Sequence, residues 1–141
     1  MTKSTMHWMF AAAALVVAAG NASAQTFTAE IPMAFRAGDA LMAAGTYQVT
    51  VATGGGTQIL LRSYNAHNGA VVLPGPLSDT PKNWRLDSNP RIAFECAGTK
   101  CMLRRLWTGS DSFVYNFIGP KAPTVEARRT EEVTLAMTKV R

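Results

Sequence analysis

Hydrophobic and polar residues alternate along most of the chain that follows residue 25. A period of two places every second side chain on the same face, which is typical of a β-strand with one buried face. Two shorter runs, residues 59–61 and 71–73, are continuously apolar and predict strands that pack on both sides. The alternation is clearest in three segments, residues 47–51, 92–96 and 113–117.

Residues that break regular structure separate these segments. Gly54-Gly55-Gly56 predicts a hairpin turn, and a second turn is expected at residues 65–69, with Asn68-Gly69 at its tightest point. About seven to eight short strands with turns between them predict an all-β fold, either a small antiparallel sandwich or a partly open barrel. Further turns or loops are expected at residues 74–76, 109–111 and 119–123, and the longest irregular segment at residues 77–90.

The C-terminal segment fits two patterns. Val133, Leu135 and Met137 alternate as in a strand, whereas Val133, Ala136, Met137 and Val140 also share one face of a helix. The β-branched residues of this segment favour the strand.

The first residues form a pattern that is typical of a secretory signal peptide. Lys3 supplies a positive charge, residues 9–19 are an unbroken apolar run, and Ala22-Ser23-Ala24 is a small-x-small cleavage site before Gln25. The run is shorter than the about 20 residues of a membrane-spanning helix, and an uncleaved anchor is the alternative. We therefore expect a signal peptide at residues 1–24, a single β-rich domain at residues 25–141, no transmembrane segment after cleavage, and a periplasmic or secreted location.

The two cysteines, Cys96 and Cys101, are separated by four residues between two expected strands. A hairpin places them opposite each other, within the Cα distance that a disulfide requires. Export supplies the oxidising compartment in which disulfides persist, so we predict a disulfide that fixes the hairpin register. A redox-active pair fits less well, because such pairs usually have two intervening residues, and a zinc site needs more ligands.

Composition and charge narrow the classes of function. The chain has 48% hydrophobic and 16% charged residues and a net charge of +5, or +4 (13 basic minus 9 acidic residues) without Lys3. This modest charge favours solubility and does not indicate binding to nucleic acid. The basic doublets Arg104-Arg105 and Arg128-Arg129 are interpreted as solvated surface. The first doublet also interrupts an alternation, and a β-bulge there would turn Leu103 and Leu106 towards the core.

Residues of the usual catalytic motifs are sparse. His67 is the only histidine outside the expected signal peptide, and it lies in a predicted turn. The glycines at residues 54–56 are not followed by the Gly-Lys-Ser/Thr of a phosphate-binding loop. We expect no catalytic site, no metal and no cofactor. A hydrolase that uses Asp39, Asp87 or Asp111 is an alternative only if these residues converge in one cleft, and it fails if any two of them lie far apart on the surface.

Trp84 lies in the expected irregular segment, beside Lys82 and Arg85. Packing in the core is the default interpretation for Trp84, as it is for Trp107. Of the two, Trp84 is the better candidate for a partly exposed contact residue, because it lies in an irregular segment among basic residues, so Trp84 and Arg85 are the candidate contact site.

One stretch of the sequence resembles a known group of proteins. Residues 31–39 read Ile-Pro-Met-Ala-Phe-Arg-Ala-Gly-Asp, and residues 44–49 read Ala-Gly-Thr-Tyr-Gln-Val. This Ile-Pro-x-x-Phe…Ala-Gly-x-Tyr-x-Val motif is similar to the N-terminal motif of small uncharacterised secreted bacterial β-domain proteins, and residues 59–63 match their second-hairpin strand. The chain departs from them at Met33-Ala34 and at Met42-Ala43, where they tend to have Leu-Pro. The resemblance implies a compact β-domain and an envelope or secreted location, and brings no functional residues.

Three functions are consistent with these patterns. The first is an exported, non-enzymatic envelope or secreted protein that binds another envelope protein or a polymer, or has a structural role. The alternative is a carrier of a small apolar ligand in a β-barrel lined by Phe113, Tyr115 and Phe117. The third is the hydrolase described above.

Overall fold

The computed structural model of the chain describes residues 23–65, 67–119 and 130–140. The predicted signal peptide up to Ala22, residues 120–123 of an expected loop, and Arg128-Arg129 lie outside the described residues. The described part contains these elements: β1 (Ser23–Ile31), β2 (Phe35–Ala37), β3 (Ala40–Met42), β4 (Gly45–Thr53), β5 (Thr57–Ser63), β6 (Gly69–Val72), β7 (Leu77–Asp79), a short helical turn α1 (Lys82–Arg85), β8 (Arg91–Ala97), β9 (Lys100–Trp107), β10 (Phe113–Asn116), β11 (Thr130–Ala136) and β12 (Thr138–Lys139).

The strands form two sheets. The first has the order β12-β1-β4-β5-β6, and the second has the order β11-β8-β9-β10-β7, with the β2–β3 hairpin attached to β9. Neighbouring strands are antiparallel, except that β2 runs parallel to β9. The sheets pack face to face and do not close into a barrel. The all-β prediction is therefore confirmed in its sandwich form.

The chain passes between the two sheets four times, and two of these crossings lie at opposite sides of the sandwich. Residues 73–76 connect β6 to β7, and Met137 alone connects β11 to β12. The crossing from β6 to β7 is tied to the second sheet by Gly75, whose N–H donates to the carbonyl of Asn116 at 2.7 Å. Because these connections are so short, the edge strands β6 and β7 share one side of the sandwich, and β11 and β12 share the other.

Alternating apolar side chains of both sheets meet in the core. Phe35 packs edge-to-face on Tyr47 of the first sheet and on Phe94 of the second, with ring centroids 5.3 and 5.1 Å apart. Its ring therefore joins the two layers. The apolar faces predicted at residues 47–51 and 92–96 are buried in this core, which confirms the period-two assignment.

The prediction that the two short apolar runs pack on both sides is wrong. In β5, Leu60 faces outwards between two buried neighbours, and at β6 only Val72 is buried, whereas Val71 and Leu73 are exposed. Both strands lie at one end of the first sheet. Among the described residues, no element covers the outer face of the sheet there, so these runs bury one face only.

The segment at residues 77–90 is more regular than its sequence indicates. Leu77–Asp79 forms β7 on β10, and α1 begins after Pro81, whose carbonyl accepts from the N–H of Trp84 at 3.0 Å. A three-residue strand is too short to show a period, and its neighbour in the sheet, β10, is distant in sequence. The strand interpretation of the C-terminal segment is confirmed by β11, which pairs with β8.

Two local predictions for the β8–β9 hairpin are confirmed. Phe94 lies opposite Leu103 and Ala93 opposite Arg105, so Arg104 is the extra residue of a β-bulge. The bulge allows Leu103 and Leu106 to be buried on the same face. Nearer the turn, Cys96 and Cys101 are directly opposed, with Cα atoms 4.0 Å apart, and form the predicted disulfide.

Candidate functional site

Trp84 is buried, which confirms the default interpretation of core packing and corrects its candidate role as a partly exposed contact residue. Only 3% of its surface is accessible. Together with Trp107, Ala93 and Val114 it forms a small second core on the outer face of the second sheet. The short turn α1 carries the indole across this face, where it excludes water from the sheet. Arg85, the other predicted contact residue, is exposed, and its role as a contact stays a prediction.

The side chain of Arg105 covers the second core on its solvent side, and Arg91 lies 6.0 Å from the centroid of the same Trp84 ring. The guanidinium of Arg105 lies 4.6 Å from the ring centroid of Trp84, and Arg105 forms an ion pair with Glu132 of β11. Arg104 is also paired, with its Nε 3.2 Å from the carboxylate of Glu95. The interpretation of this doublet as solvated surface is therefore wrong, because both side chains are half-buried and engaged.

The three aspartates of the hydrolase hypothesis do not share a cleft. Asp39 lies in the turn of the β2–β3 hairpin, which pairs with β9 at Met102, whereas Asp111 follows Trp107 at the other end of β9. The five residue-to-residue steps from Met102 to Trp107 span roughly 16 Å of strand. This separation removes Asp39 from any site at Asp111.

The other two aspartates are occupied in local structure. Asp87 accepts from Arg91 at 2.6 Å and from the N–H of Asn89 at 3.2 Å, and these bonds hold the pKa of its carboxyl below the usual 3.8. A carboxylate held ionised in this way is a poor general acid. Asp111 accepts from the hydroxyl of Thr108 at 2.6 Å and fixes the turn after β9. Within the described ranges, no group of three or more His, Cys, Asp or Glu residues is arranged to hold a metal ion.

The residues proposed to line a carrier cavity pack against protein instead. Tyr115 and Phe117 belong to the core between the sheets, and the ring of Phe113 packs edge-to-face on Tyr115 at 5.4 Å. Burial raises the pKa of the Tyr115 phenol, with the negative charge of Asp111 acting in the same direction. The open sandwich gives the barrel-carrier alternative no enclosing structure.

Open depressions mark the outer face of the first sheet. One, of about 480 Å³, runs along β5 and β6 and is lined by residues that include Thr50, Leu60 and Val71. A second, of about 440 Å³, lies over the turn between these strands, beside Arg62 and His67. Both depressions adjoin the edge strand β6.

Four large apolar side chains stand exposed at this side, around the crossing from β6 to β7. Their exposed fractions are 62% for Val71, 68% for Leu73, 55% for Leu77 and 76% for Ile118. Leu73 follows β6, Leu77 begins β7, and Ile118 lies against Gly75 of the crossing. We call these four residues, together with the edge of β6 that no other strand of the described residues pairs with, the apolar side. Exposed apolar clusters of this kind mark interaction surfaces more often than single exposed residues do.

The hydrogen bonds at the end of β5 show which backbone groups of the hairpin are paired. In an antiparallel pair, opposed residues alternate between pairs that exchange backbone bonds and pairs that do not. The N–H of Ser63 donates to the carbonyl of Asn68 at 2.9 Å, and the N–H of Tyr64 donates to Thr46 at 3.0 Å. Odd-numbered residues of β5 therefore bond to β6, and even-numbered residues bond to β4.

The same alternation decides the orientation of the β6 backbone. Ala70 and Val72 lie opposite odd-numbered residues of β5 and bond to that strand. Gly69 and Val71 lie opposite even-numbered residues, so their N–H and C=O groups point away from β5, towards the free edge of the sheet. The edge of β6 thus presents two backbone N–H donors and two backbone C=O acceptors in one row.

The apolar side is absent from the predicted contact residues. A continuous apolar run such as residues 71–73 shows no alternation of polar and apolar residues, so the sequence does not indicate which of its positions are exposed. The one available signal is Pro74-Gly75-Pro76 directly after the run, since proline next to a strand is typical of a sheet edge.

Comparison of the chain with protein-family models, with curated proteins and with solved structures found no match. Within the part of the chain that the structure describes, no helix has the length and apolar character needed to cross a bilayer.

Proposed function

We propose that this protein is an exported, non-enzymatic module that acts by protein contact through its apolar side. The observation that carries the proposal is the cluster of Val71, Leu73, Leu77 and Ile118 beside an edge strand. Apolar side chains at these exposures lose stabilisation by remaining in water and gain it when covered. An unpaired strand edge adds directional backbone groups to the same surface.

Export is the second part of the proposal. The signal-peptide pattern ends at Ala24, and the disulfide between Cys96 and Cys101 is of the kind that persists in oxidising compartments. An envelope or secreted location places the apolar side among other exported proteins. The exposed apolar side chains support a structural or binding role. No reaction is assigned to Asp87 or Asp111, whose carboxylates serve local structure.

The test is site-specific photo-cross-linking in intact cells that produce the full chain. A photoreactive amino acid replaces Leu73 or Leu77 in the apolar side, and Leu41 in the matched control. Leu41 is 72% exposed and lies on the β2–β3 hairpin, so it is an equally accessible leucine on another surface. We expect discrete cross-linked species from Leu73 and Leu77, and none from Leu41.

Two outcomes contradict the proposal. The first is an identical cross-linking pattern at Leu41 and at Leu73, because it would show contact without surface specificity. The second is retention of the chain in the cytoplasm with an intact N-terminus, because an unprocessed chain never reaches the compartment that the proposal requires.

A further inference from the structure

We infer that the occupant of the apolar side is a second copy of this chain, joined by antiparallel pairing of β6 with the partner's β6. The inference rests on the proposed function, because it names the partner of the same surface. It would make the protein a two-fold symmetric dimer in which the first sheet continues from one copy into the other.

Charge distinguishes β6 from the strands at the other three ends of the two sheet orders, β7, β11 and β12. Asp79 lies on β7, Glu131 and Glu132 lie on β11, and Lys139 lies on β12. Charged side chains on edge strands oppose pairing with another chain. β6 reads Gly-Ala-Val-Val and carries no charge, so two copies of it can meet without placing like charges opposite each other.

The backbone of β6 is complementary to itself. With a two-fold axis through Ala70, Gly69 of one copy faces Val71 of the other, and both residues direct their N–H and C=O groups outwards. The pairing then forms four backbone hydrogen bonds, two at each Gly69–Val71 pair. An isologous contact of this kind uses the same patch on both copies, as a two-fold dimer requires.

The distribution of the apolar side chains favours a second sandwich over a single foreign strand. Val71 and Leu73 belong to the first sheet, whereas Leu77 and Ile118 lie at the edge of the second. An isolated strand added to β6 would cover the first pair and leave the second in water. A second copy brings its own two layers, so both pairs are covered at once.

The size of the apolar side determines how strongly we expect two copies to associate. A standard interface uses about 20–30 residues per partner, which is more than the short β6 edge and its four apolar side chains supply. We therefore expect a reversible dimer that dissociates in the micromolar range, and whose population depends on protein concentration.

The test is sedimentation-velocity analysis of the mature, oxidised protein from about 1 to about 500 µM, a range that brackets micromolar dissociation. Val71→Pro removes an N–H that points away from β5, so it blocks the edge without breaking the β5–β6 bonds. Two of the four intermolecular bonds are lost, and we expect dimerisation about 30-fold weaker. Val71→Ile keeps the N–H and the apolar surface, and should dimerise like the unchanged protein.

A second pair of variants makes the test independent of any effect of proline on folding. Leu73→Lys places a charge in the apolar side and should leave the protein monomeric throughout the concentration range. Leu41→Lys adds the same charge to an equally exposed leucine elsewhere and should leave the dimer intact. Near-ultraviolet circular dichroism confirms that each variant is folded.

The inference is overturned if the unchanged protein is monomeric at every concentration, or if Val71→Pro and Leu73→Lys dimerise as it does. The results that would reject the proposed function differ from those that would reject the dimer. Cross-links from Leu73 to a different envelope protein, with a monomer in sedimentation, would retain the apolar side as a contact surface and reject the second copy as its occupant. Absence of both cross-links and dimer would reject both.

Discussion

The guanidinium of Arg105 covers the indole of Trp84, with 4.6 Å between the guanidinium carbon and the ring centroid. Arg105 is held from its other side by an ion pair with Glu132 on β11. The arginine therefore links the turn α1 to the outer face of the second sheet. This contact explains how a four-residue helical turn keeps a defined position, since Trp84 is its one buried side chain.

Removal of the arginine cover should expose Trp84 and destabilise the fold. We expect Arg105→Ala to lower the free energy of unfolding by about 1–2 kcal/mol, from the loss of the cation–π contact and of packing by the arginine stem. Urea unfolding measures this change, and the fluorescence of Trp84 should shift to longer wavelength. The matched control is Arg85→Ala on the exposed face of α1, where we expect a change within about 0.5 kcal/mol. Equal destabilisation by the two variants would contradict this role of Arg105.

The disulfide between Cys96 and Cys101 should contribute modestly to stability. It closes a short loop, and the chain-entropy model gives about 2 kcal/mol for a loop of this length. Chemical unfolding with and without a reducing agent measures the difference, and the variant with both cysteines replaced by alanine should show no further effect of the reducing agent. A loss beyond about 5 kcal/mol on reduction would indicate that the bond holds more than its own hairpin.

Alkaline conditions should destabilise the protein through two tyrosines. Burial raises the pKa of Tyr47 and of Tyr115 above 10.0. Between the unfolded and the folded pKa, the folded chain retains protons that the unfolded chain has lost, so the free energy of unfolding falls as pH rises above about 10. Tyr115→Phe should reduce this slope. We would reject this role of the two tyrosines if the free energy of unfolding stayed constant from pH 9 up to the pH at which the tyrosines of the unfolded chain are fully ionised.

Cleavage at the predicted site should leave β1 paired with β4. β1 pairs with β4 from Ser23, opposite Thr53, to Ile31, opposite Gly45. A mature chain that begins at Gln25 loses the Ser23–Thr53 hydroxyl contact at the exposed end of this ladder and keeps the buried part. We expect intact mass analysis of the exported protein to give Gln25 as its first residue. Its stability should lie within about 1 kcal/mol of a chain that begins at Ser23, since exposed hydrogen bonds contribute little.

The sequence predicts features that depend on near neighbours along the chain. The alternation at residues 92–96, the break in alternation at Arg104-Arg105, and the spacing of Cys96 and Cys101 each identify a local feature that the structure contains. All three lie in one hairpin, where the residues that pair are also close in sequence. Their local pattern therefore carries the information that the pairing uses.

The same local patterns do not predict features that depend on residues distant in the sequence. The burial of Trp84 requires Ala93, Trp107 and Val114, which come from three strands brought together only by the fold. Likewise, the exposure of Val71 follows from the position of β6 at the end of a sheet order that the sequence does not state. For this reason the sequence alone did not show that Trp84 is buried or that Val71 belongs to an exposed apolar surface.

Amide hydrogen exchange at β6, followed by NMR on the mature protein, tests the central claim most directly. Ala70 and Val72 bond to β5 and should be protected at all concentrations, whereas Gly69 and Val71 point to the free edge. If the apolar side is occupied by a second copy, the amide of Val71 will exchange rapidly in dilute protein and become protected as the concentration rises into the dimer range. An amide of Val71 that exchanges at the unprotected rate at every concentration, and also in the presence of envelope extract, would contradict the account.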